Sequence, residues 1–414
     1  MKAWIISVSM GYGHQRTAYP LKGLAFKKII NANSYSEIPQ KDKLIWENSR
    51  RFYETISKFE RIPVLGKISF SIYDYFQRIL SFYPKRNLEN PSFTLKRIYS
   101  LLKKGWGKDL IEKLKKENPK IPFISTFFIP AFMAEFFEYP GKIFCVICDT
   151  DIARVWAPLE PKKSKIKYFA PTERVVERLK LYGVKPENIF LTGYPLPLEN
   201  VKKAENDLKF RILNLDPERK FRKSYRDLVE KRLGKLPESI DHPLTILFSI
   251  GGAGAQADIA LQIYQSLKKE IKKGRVKLII SAGIKERVRD YFLKRIKMKN
   301  GIEIIFERKI EDYFEKFNKA LRKVDILWTK PSELSFYSAL GIPIIIAPPL
   351  GSQERSNLRW LLKSGYGMPQ ENPKYTNQWL FDWLKEGYLA EMAFEAFVEG
   401  KRFGSSKIEE IISK

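Results

Sequence analysis

Short apolar runs alternate with amphipathic stretches along most of this chain, and that alternation constrains its fold more than any other feature. In the first half, the apolar runs that predict buried strands are 3–9, 122–126, 143–148, 167–170 and 189–192. In the second half, they are 244–250, 276–281, 302–306, 324–328 and 342–347. Strands that alternate with helices form parallel sheets with helices on both faces. The sequence therefore predicts two α/β halves, each with its own sheet.

The amphipathic stretches between these runs predict the covering helices. In the first half they are 128–137 and 172–182, and in the second half 254–272, 285–296, 310–322, 333–340 and 353–364. Thr172 is suited to begin its helix as an N-cap, and Gly183 is suited to end it.

Shifts in polarity predict the domain boundaries. Residues 1–200 are expected to form an N-terminal Rossmann-like domain and 243–390 a second one. The charged stretch between them, 201–242, is expected to connect the two with one or two exposed helices. Residues 391–414 are expected to form a C-terminal helix that packs back on the N-terminal domain.

The chain is strongly basic. Its 414 residues include 75 Lys and Arg and 47 Asp and Glu, which gives a formal net charge of +28. Such a charge indicates an anionic partner: nucleic acid, an acidic lipid surface or a phosphorylated substrate. A solvated, charge-rich surface of the kind found in heat-adapted proteins is the other interpretation. No recognisable DNA- or RNA-binding module is present and the charge is not gathered in one stripe, so nucleic acid is not expected.

A basic and aromatic stretch, 45–106, separates the first two predicted strands. Its aromatic residues include Trp46, Phe52, Tyr53, Phe59, Phe70, Tyr73, Tyr75, Phe76, Phe82 and Tyr83. Apolar residues recur at helical spacing from Ile72 to Tyr83, so we expect a helical insertion over about 30–115. Basic, aromatic, amphipathic helices are typical of proteins that bind a membrane surface. The alternative is that these aromatic side chains pack a small helical core.

The two cysteines, Cys145 and Cys148, lie in an apolar run. Their spacing fits a metal or redox pair, but no second Cys/His pair is present to complete a tetrahedral site, so neither is expected. Two thiols in a chain of this length fit a reducing cytoplasm. No signal peptide is recognised, and no run approaches the ~20 apolar residues that span a bilayer. Any membrane contact is therefore expected at the surface.

Two glycine-rich turns follow predicted strands and are the first candidates for ligand contacts. Gly11 and Gly13 follow the first strand and bring His14, one of two histidines, to the end of a sheet. Four small residues, 251–254, lie between the strand 244–250 and a helix. Glycines allow backbone N–H groups to approach a ligand closely, and the start of a helix favours anions. Neither turn matches the dinucleotide fingerprint or the P-loop.

Polar residues at other strand ends extend this candidate site. They are Asp149, Lys330, Ser332, Glu333, Gln353 and Asn357. A carboxylate such as Asp149 is suited to orient a histidine or a hydroxyl, and the remaining side chains are suited to bind hydroxyl groups. The second histidine, His242, lies in a polar turn before a strand and is expected to be structural.

Together these motifs resemble the GT-B glycosyltransferases, of the family 28-like kind that includes monogalactosyldiacylglycerol synthase and the lipid-II-forming N-acetylglucosaminyltransferase. The resemblance is carried by the Gly-x-Gly-His turn, the Gly-Gly-x-Gly turn and the block from Thr329-Lys-Pro to Leu340-Gly-Ile-Pro343. The stretch from Tyr168-Phe-Ala-Pro to Thr192-Gly-Tyr-Pro195 is similar to theirs as well. The resemblance covers about 1–20, 120–200 and 243–365.

The resemblance implies two Rossmann-like domains that face each other across a cleft, with a UDP-sugar donor held mainly by the second. It places Gly251, Gly252 and Gly254 at the phosphates. It places Lys330, Ser332 and Glu333 near the ribose or sugar, and Gln353 and Asn357 near the sugar. His14 would lie at the reacting centre with Asp149, and Gly11 and Gly13 on the acceptor or phosphate side.

The implied reaction is a direct inversion that uses no metal and no cofactor. The acceptor would be a lipid or lipid-linked molecule at the inner face of the cell membrane. The family usually has a glutamate shortly before its Leu-Gly-Leu-Pro glycine, where this chain has Phe336, or Ser338 if a gap is allowed; Glu333 is the candidate replacement. A sugar-nucleotide epimerase, a transferase with a soluble acceptor and a nucleic-acid-binding protein are the alternatives.

Overall fold

The structure, a computed structural model, describes residues 1–59, 79–251, 256–349 and 351–414, without the side chains of 50–59. It contains two units. The first comprises Met1–Pro195, Gly351–Ser356 and Phe403–Lys414, and the second comprises Leu196–Leu350 and Asn357–Arg402. Each unit contains one six-stranded sheet in which all pairs are parallel. The predicted α/β class, with two Rossmann-like sheets, is confirmed.

The first sheet has the strand order β2-β1-β3-β4-β5-β6. Its strands are β1 (Trp4–Ser7), β2 (Ile30–Asn31), β3 (Phe123–Ser125), β4 (Ile143–Val146), β5 (Lys167–Ala170) and β6 (Ile189–Leu191). The central strands β1, β3 and β4 are buried throughout, which is why they are apolar runs without polar alternation. The edge strand β2 was not predicted, because two half-buried residues carry no periodic signal.

Within the described residues, six α-helices lie between the strands of this sheet. They are α1 (Tyr12–Ala18), α2 (Gln40–Phe59), α3 (Phe93–Lys103), α4 (Lys108–Glu117), α5 (Phe128–Phe136) and α6 (Glu173–Leu181). As predicted, the Thr172 side chain caps α6 by accepting from Val175 N, and Gly183 follows the helix with a positive φ of 85°.

The described part of the predicted insertion over 30–115 is helical only in places. Helices α2, α3 and α4 are present, but the described residues 79–92 contain no helix. Arg178 donates a hydrogen bond to the carbonyl of Leu80, and Arg154 donates one to the carbonyl of Glu89. The carbonyls of this segment are therefore bound by distant side chains rather than by helical neighbours. The aromatic residues between 60 and 78 lie outside the described residues.

The second sheet has the strand order β12-β11-β10-β7-β8-β9. Its strands are β7 (Leu244–Ser249), β8 (Val276–Gly283), β9 (Ile302–Phe306), β10 (Ile326–Thr329), β11 (Ile344–Ile346) and β12 (Gly367–Pro369). β7 lies between β8 and β10 in the middle of the sheet, and its residues are buried throughout.

The described residues between Pro195 and the last segment of the chain form ten α-helices. They are α7 (Leu198–Val201), α8 (Ala204–Leu215), α9 (Lys220–Ser224), α10 (Arg226–Leu233), α11 (Ala257–Lys272), α12 (Glu286–Arg295), α13 (Ile310–Leu321), α14 (Ser352–Lys363), α15 (Thr376–Glu386) and α16 (Tyr388–Glu399). The predicted helix 333–340 is a 3₁₀ helix instead (Glu333–Leu340), in which Ser338 Oγ donates to the carbonyl of Ser335.

The stretch 201–242 forms more than the one or two exposed helices that its charge suggested. Helices α8 to α10 lie in it, and α8 packs within the second unit through its buried Leu208 and Ile212. Arg211 is buried and donates to the carbonyls of Val324, Leu340 and Gly341. A charged residue therefore holds the helix in the core, which composition alone does not indicate.

The last helix, α17 (Gly404–Ser413), packs in the first unit. Its Ile408 and Ile412 are fully buried in a cluster with Ala3, Ile5 and Leu21. Gly404 is needed there because a Cβ would come within 2.3 Å of the Tyr194 carbonyl oxygen.

Candidate active site

His14 lies on the first turn of α1, just after the end of β1. The chain reaches it through Gly11, whose φ of 91° is a conformation that other residues rarely adopt. A Cβ on Gly11 would meet no atom within 4 Å, so the backbone conformation rather than crowding requires a glycine. Gly13 follows within the helix, and its carbonyl accepts a hydrogen bond from Thr17.

Thr126 holds His14 by two hydrogen bonds. The Thr126 carbonyl lies 2.8 Å from His14 Nδ1, and Thr126 Oγ1 donates to the His14 carbonyl at 2.9 Å. Because a carbonyl oxygen only accepts, Nδ1 carries the proton of this pair, and the lone pair of the neutral ring lies on Nε2. The ring packs against Phe127 and Trp156, with centroids 4.6 and 6.3 Å away.

Cys148 connects the two predicted catalytic residues. Its Sγ lies 3.5 Å from His14 Nδ1 and 3.9 Å from Asp149 Oδ2. Cys148 is buried, whereas His14 and Asp149 are half-buried. The structure therefore brings His14 and Asp149 next to a common thiol at the ends of β1 and β4.

Two buried arginines fix the loop that follows Asp149. Arg178 donates to both carboxylate oxygens of Asp151, and Arg154 donates to the carbonyls of Glu89 and Pro158. Burial lowers the pKa of Arg178, but the hydrogen bond and charge of Asp151 outweigh burial and raise it. Burial lowers the pKa of Arg154, which is paired with carbonyls rather than a carboxylate. These contacts anchor the segment that carries Trp156 to the His14 ring.

Gly251, the first residue of the glycine turn after β7, lies beside a lysine. A Cβ on Gly251 would come within 2.8 Å of Lys330 Cε and 3.5 Å of its Nζ, so the lysine lies directly over this backbone. Gly252 and Gly254, the other predicted phosphate contacts, lie outside the described residues. The chain is described again at Gln256, which has a φ of 72° and donates to the Pro348 carbonyl.

Lys330, Ser332 and Glu333 follow β10, the strand next to β7, and all three are half-buried. Ser332 caps the 3₁₀ helix by accepting from Leu334 N. The apolar ring of Phe336 is buried against Trp360, and the hydroxyl of Ser338 donates a hydrogen bond to the Ser335 carbonyl. Of the residues considered for the family's glutamate, Glu333 alone carries a carboxylate.

Gln353 and Asn357 lie one turn apart on α14. Gln353 is half-buried in its first turn, where the Ser352 hydroxyl donates to its side-chain oxygen at 3.4 Å. Asn357 is fully buried, and its Nδ2 donates to the Pro331 carbonyl at 3.4 Å. Asn357 is therefore linked to the turn that carries Lys330 and Ser332.

His242 lies at the opposite end of the second sheet, before β7. Its Nε2 lies 3.3 Å from Asp325 Oδ1, and its Nδ1 contacts Asp241. Asp325 is buried and also accepts from Asn214 Nδ2 and Thr245 N. This network joins the starts of β7 and β10, whereas the glycine turn and Lys330 follow their ends.

Sequence reasoning missed several partners of the predicted residues, chiefly Thr126, Phe127, Trp156 and Cys148. Thr126 directly follows β3, which pairs in parallel with β1. Its position after a strand was the signal in the sequence that could have placed it near His14. Within the described part of the chain, no group of three or more His, Cys, Asp or Glu is arranged to hold a metal ion. Over the same residues, no helix is both long and apolar enough to cross a membrane.

Two kinds of relative match this chain in sequence. A family model described as a domain of unknown function (DUF6938) matches residues 225–320, a minor part of the chain. A processive diacylglycerol beta-glucosyltransferase from Bacillus licheniformis is 24% identical over 368 residues, which cover 85% of this chain and 79% of that protein. The Bacillus subtilis protein of the same name is 22% identical, covering 87% of this chain and 81% of that protein.

Solved structures share the fold over the whole chain. The UDP co-structure of MnaA from S. aureus has a TM-score of 0.51 at 13% identity, and covers 100% of this chain and 96% of that one. A UDP-GlcNAc 2-epimerase from Neisseria meningitidis, bound to UDP-GlcNAc, has a TM-score of 0.52 at 13% identity, with full coverage of both chains. These two likenesses concern the fold alone. The sequence relatives confirm the predicted resemblance and enzyme class: this chain is similar over most of its length to diacylglycerol glucosyltransferases, and it is a glycosyltransferase with two Rossmann-like units.

Proposed function

We propose that this glycosyltransferase moves a sugar from a UDP-linked donor to a hydroxyl of a lipid or lipid-linked acceptor at an anionic membrane surface. The reaction proceeds with inversion at the anomeric carbon and without a metal ion. The first unit activates the acceptor through His14, and the second unit binds the donor diphosphate. The observation that carries this assignment is the hydrogen bond between His14 Nδ1 and the Thr126 carbonyl.

That hydrogen bond favours the tautomer that a general base requires. With Nδ1–H directed to a carbonyl, Nε2 accepts the proton of the acceptor hydroxyl as the hydroxyl oxygen attacks the anomeric carbon. The bond from that carbon to the diphosphate breaks, and the diphosphate leaves with the electron pair. The contacts of Phe127 and Trp156 with the ring restrict its orientation, which supports the same role.

Donor binding is assigned to the turn after β7 and to Lys330. The lysine side chain lies against Gly251, so that an ammonium group and a backbone without a side chain meet at one place. A cation placed there stabilises the negative charge that develops on the departing diphosphate. Glu333 and Asn357, on the following turn and on α14, are assigned to hydroxyl groups of the donor.

The acceptor assignment comes from the sequence relatives, which are named as diacylglycerol glucosyltransferases. The described part of the basic and aromatic stretch supports a membrane surface as well. Tyr83 and Phe93 are each 67% exposed. Cations lie near the same segment: Arg174 is 3.8 Å from the Phe82 ring centroid, and Lys85 is 5.6 Å from it. Exposed rings among cations are typical of interfacial binding to anionic lipids.

The test is a transfer assay with a panel of radiolabelled nucleoside diphosphate sugars and vesicles that contain diacylglycerol and an anionic lipid. We expect a labelled glycolipid with UDP-sugars, formed equally well with EDTA present. Anomeric inversion is read from the proton NMR spectrum of the product. Conversion of the donor without any acceptor would instead indicate an epimerase. Transfer to water-soluble acceptors alone would contradict the lipid assignment.

A further inference from the structure

The Cys148 thiol lies between His14, which is the base of the proposed mechanism, and Asp149, the other predicted catalytic residue. The mechanism assigns this thiol no task. We propose that Cys148 is a positioning residue that links the Asp149 carboxylate to the His14 imidazole. This inference rests on the proposed function for the role of His14, but the link itself is a property of the folded chain.

The distances define the direction of the link. The Thr126 carbonyl, at 2.8 Å from Nδ1, takes the main share of the Nδ1–H hydrogen bond, and Cys148 Sγ, at 3.5 Å, takes a weaker share. The thiol S–H then points to Asp149 Oδ2, which lies 3.9 Å from Sγ. Each donor in this series has an acceptor, and the series ends on a carboxylate.

Burial gives this weak link its effect. Cys148 is only 4% exposed, so little water reaches the sulfur to screen the carboxylate from the ring. The aromatic neighbours of the ring, Phe127 and Trp156, carry no charge. A positive charge that forms on His14 during proton transfer is therefore stabilised through the sulfur, and the ring is held at both Thr126 and Cys148.

The decisive experiment is a double-mutant cycle read by NMR of protein labelled with ¹⁵N-histidine. The chain has two histidines, so a His242→Gln variant identifies the His14 signals. We expect Asp149→Asn to lower the pKa of His14 by about half a unit or more in the wild-type background. In a Cys148→Ala background, the same change should lose most of its effect. An equal shift in both backgrounds would overturn the proposal.

The matched control is Cys145→Ala, which removes the other buried thiol and should leave the His14 titration unchanged. Cys148→Ser, which keeps a hydroxyl donor, should restore part of the coupling. In the transfer assay, Cys148→Ala should lower kcat severalfold, leave KM for the donor within about twofold, and move the acid limb of the kcat/KM profile. If no transfer is found but the NMR coupling is present, the proposed function fails and the link stands. Active enzyme without coupling contradicts the link alone.

Discussion

Arg178 donates two hydrogen bonds to Asp151, from Nε to Oδ1 and from Nη2 to Oδ2, each 2.8 Å long. The same guanidinium reaches the Leu80 carbonyl at 2.9 Å. Arg178 is buried and Asp151 nearly so, which makes this a bidentate pair shielded from water. The pair joins residues 79–92 to the loop that runs from Asp149 to Trp156.

Replacing Arg178 by methionine should strongly destabilise the first unit. The change leaves the Asp151 carboxylate buried without its cation, and such losses are about 3–5 kcal/mol. Urea unfolding followed by circular dichroism measures the change. Lys163→Met is the control, because it breaks an exposed pair with Glu160 and should cost less than about 1 kcal/mol. Equal losses in the two variants would contradict a structural role for the buried pair.

Replacing His14 by glutamine should reduce kcat by roughly 10²- to 10⁴-fold, the usual contribution of a general base. Donor binding should change by less than about twofold, because donor binding is assigned to the other unit. Steady-state kinetics and calorimetry with UDP measure the two effects. The matched variant is His242→Gln, which should keep normal turnover at pH 6. A His14 variant that loses UDP affinity but not turnover would refute the assigned role.

Replacing Gly251 by alanine should weaken UDP binding by about tenfold or more. The new methyl group would lie within 2.8 Å of Lys330 Cε, so the lysine must move away from the turn. Lys330→Met should give a loss of similar size, since it removes the ammonium group itself. Gly23→Ala is the control, because a Cβ there meets nothing within 4 Å. Unchanged UDP affinity in both the Gly251 and Lys330 variants would exclude this turn as the diphosphate site.

The His242 network should make stability fall as pH rises. Burial lowers the pKa of His242, but the hydrogen bonds and charges of Asp325 and Asp241 outweigh burial and raise it above 6.5. A raised pKa means that the folded state binds the proton more tightly. The contribution of protonated His242 to the free energy of unfolding is therefore complete below pH 6.5, and it is lost as pH rises through the pKa of His242 in the folded state.

Urea unfolding at a series of pH values from about 6 to 9 measures this effect. The wild-type unfolding free energy should decrease across that range, and the decrease should be smaller in His242→Gln. Parallel curves for the two proteins would show that His242 does not cause the slope.

Exposed aromatic side chains of the first unit should contribute to membrane binding. Replacing Tyr83 and Phe93 by serine should reduce flotation with anionic vesicles severalfold. Raising the salt concentration should weaken binding by the wild type and by this double variant. Tyr388→Ser is the matched control, because Tyr388 is exposed in the second unit. Flotation that is the same with neutral and anionic vesicles, and is unchanged by the two aromatic substitutions, would count against membrane binding by this segment.

Strands with strong local signals were predicted closely. β5 and β9 have the predicted bounds, because each is an apolar run with clear breaks at both ends. β2 and β12 were missed, since their sequences, Ile-Asn and Gly-Met-Pro, do not form apolar runs. Leu80 and Tyr83 were expected to be helical and are not; the Leu80 carbonyl instead accepts from Arg178, which lies 98 residues further along the chain.

The candidate site was predictable in its positions but not in its contacts. A glycine turn after a strand identified His14 and Gly251 as candidates, because parallel strands end at a common edge. The partners of His14 are remote in sequence: Thr126 lies 112 residues away and Cys148 lies 134 residues away. No local pattern encodes such pairings, and the apolar surroundings of Cys148 suggested only a packed strand.

Helix α17 has a consequence for how this protein assembles during synthesis. Ile408 and Ile412 fill the first unit's core beside Ala3 and Ile5, yet they leave the ribosome after the whole second unit. The last strand of the N-terminal sheet ends at Leu191, so one side of this sheet lacks its covering helix until translation has passed Gly404. A chain that stops before residue 404 therefore lacks the side chains that cover Ala3 and Ile5, and its apolar core is left open on that side.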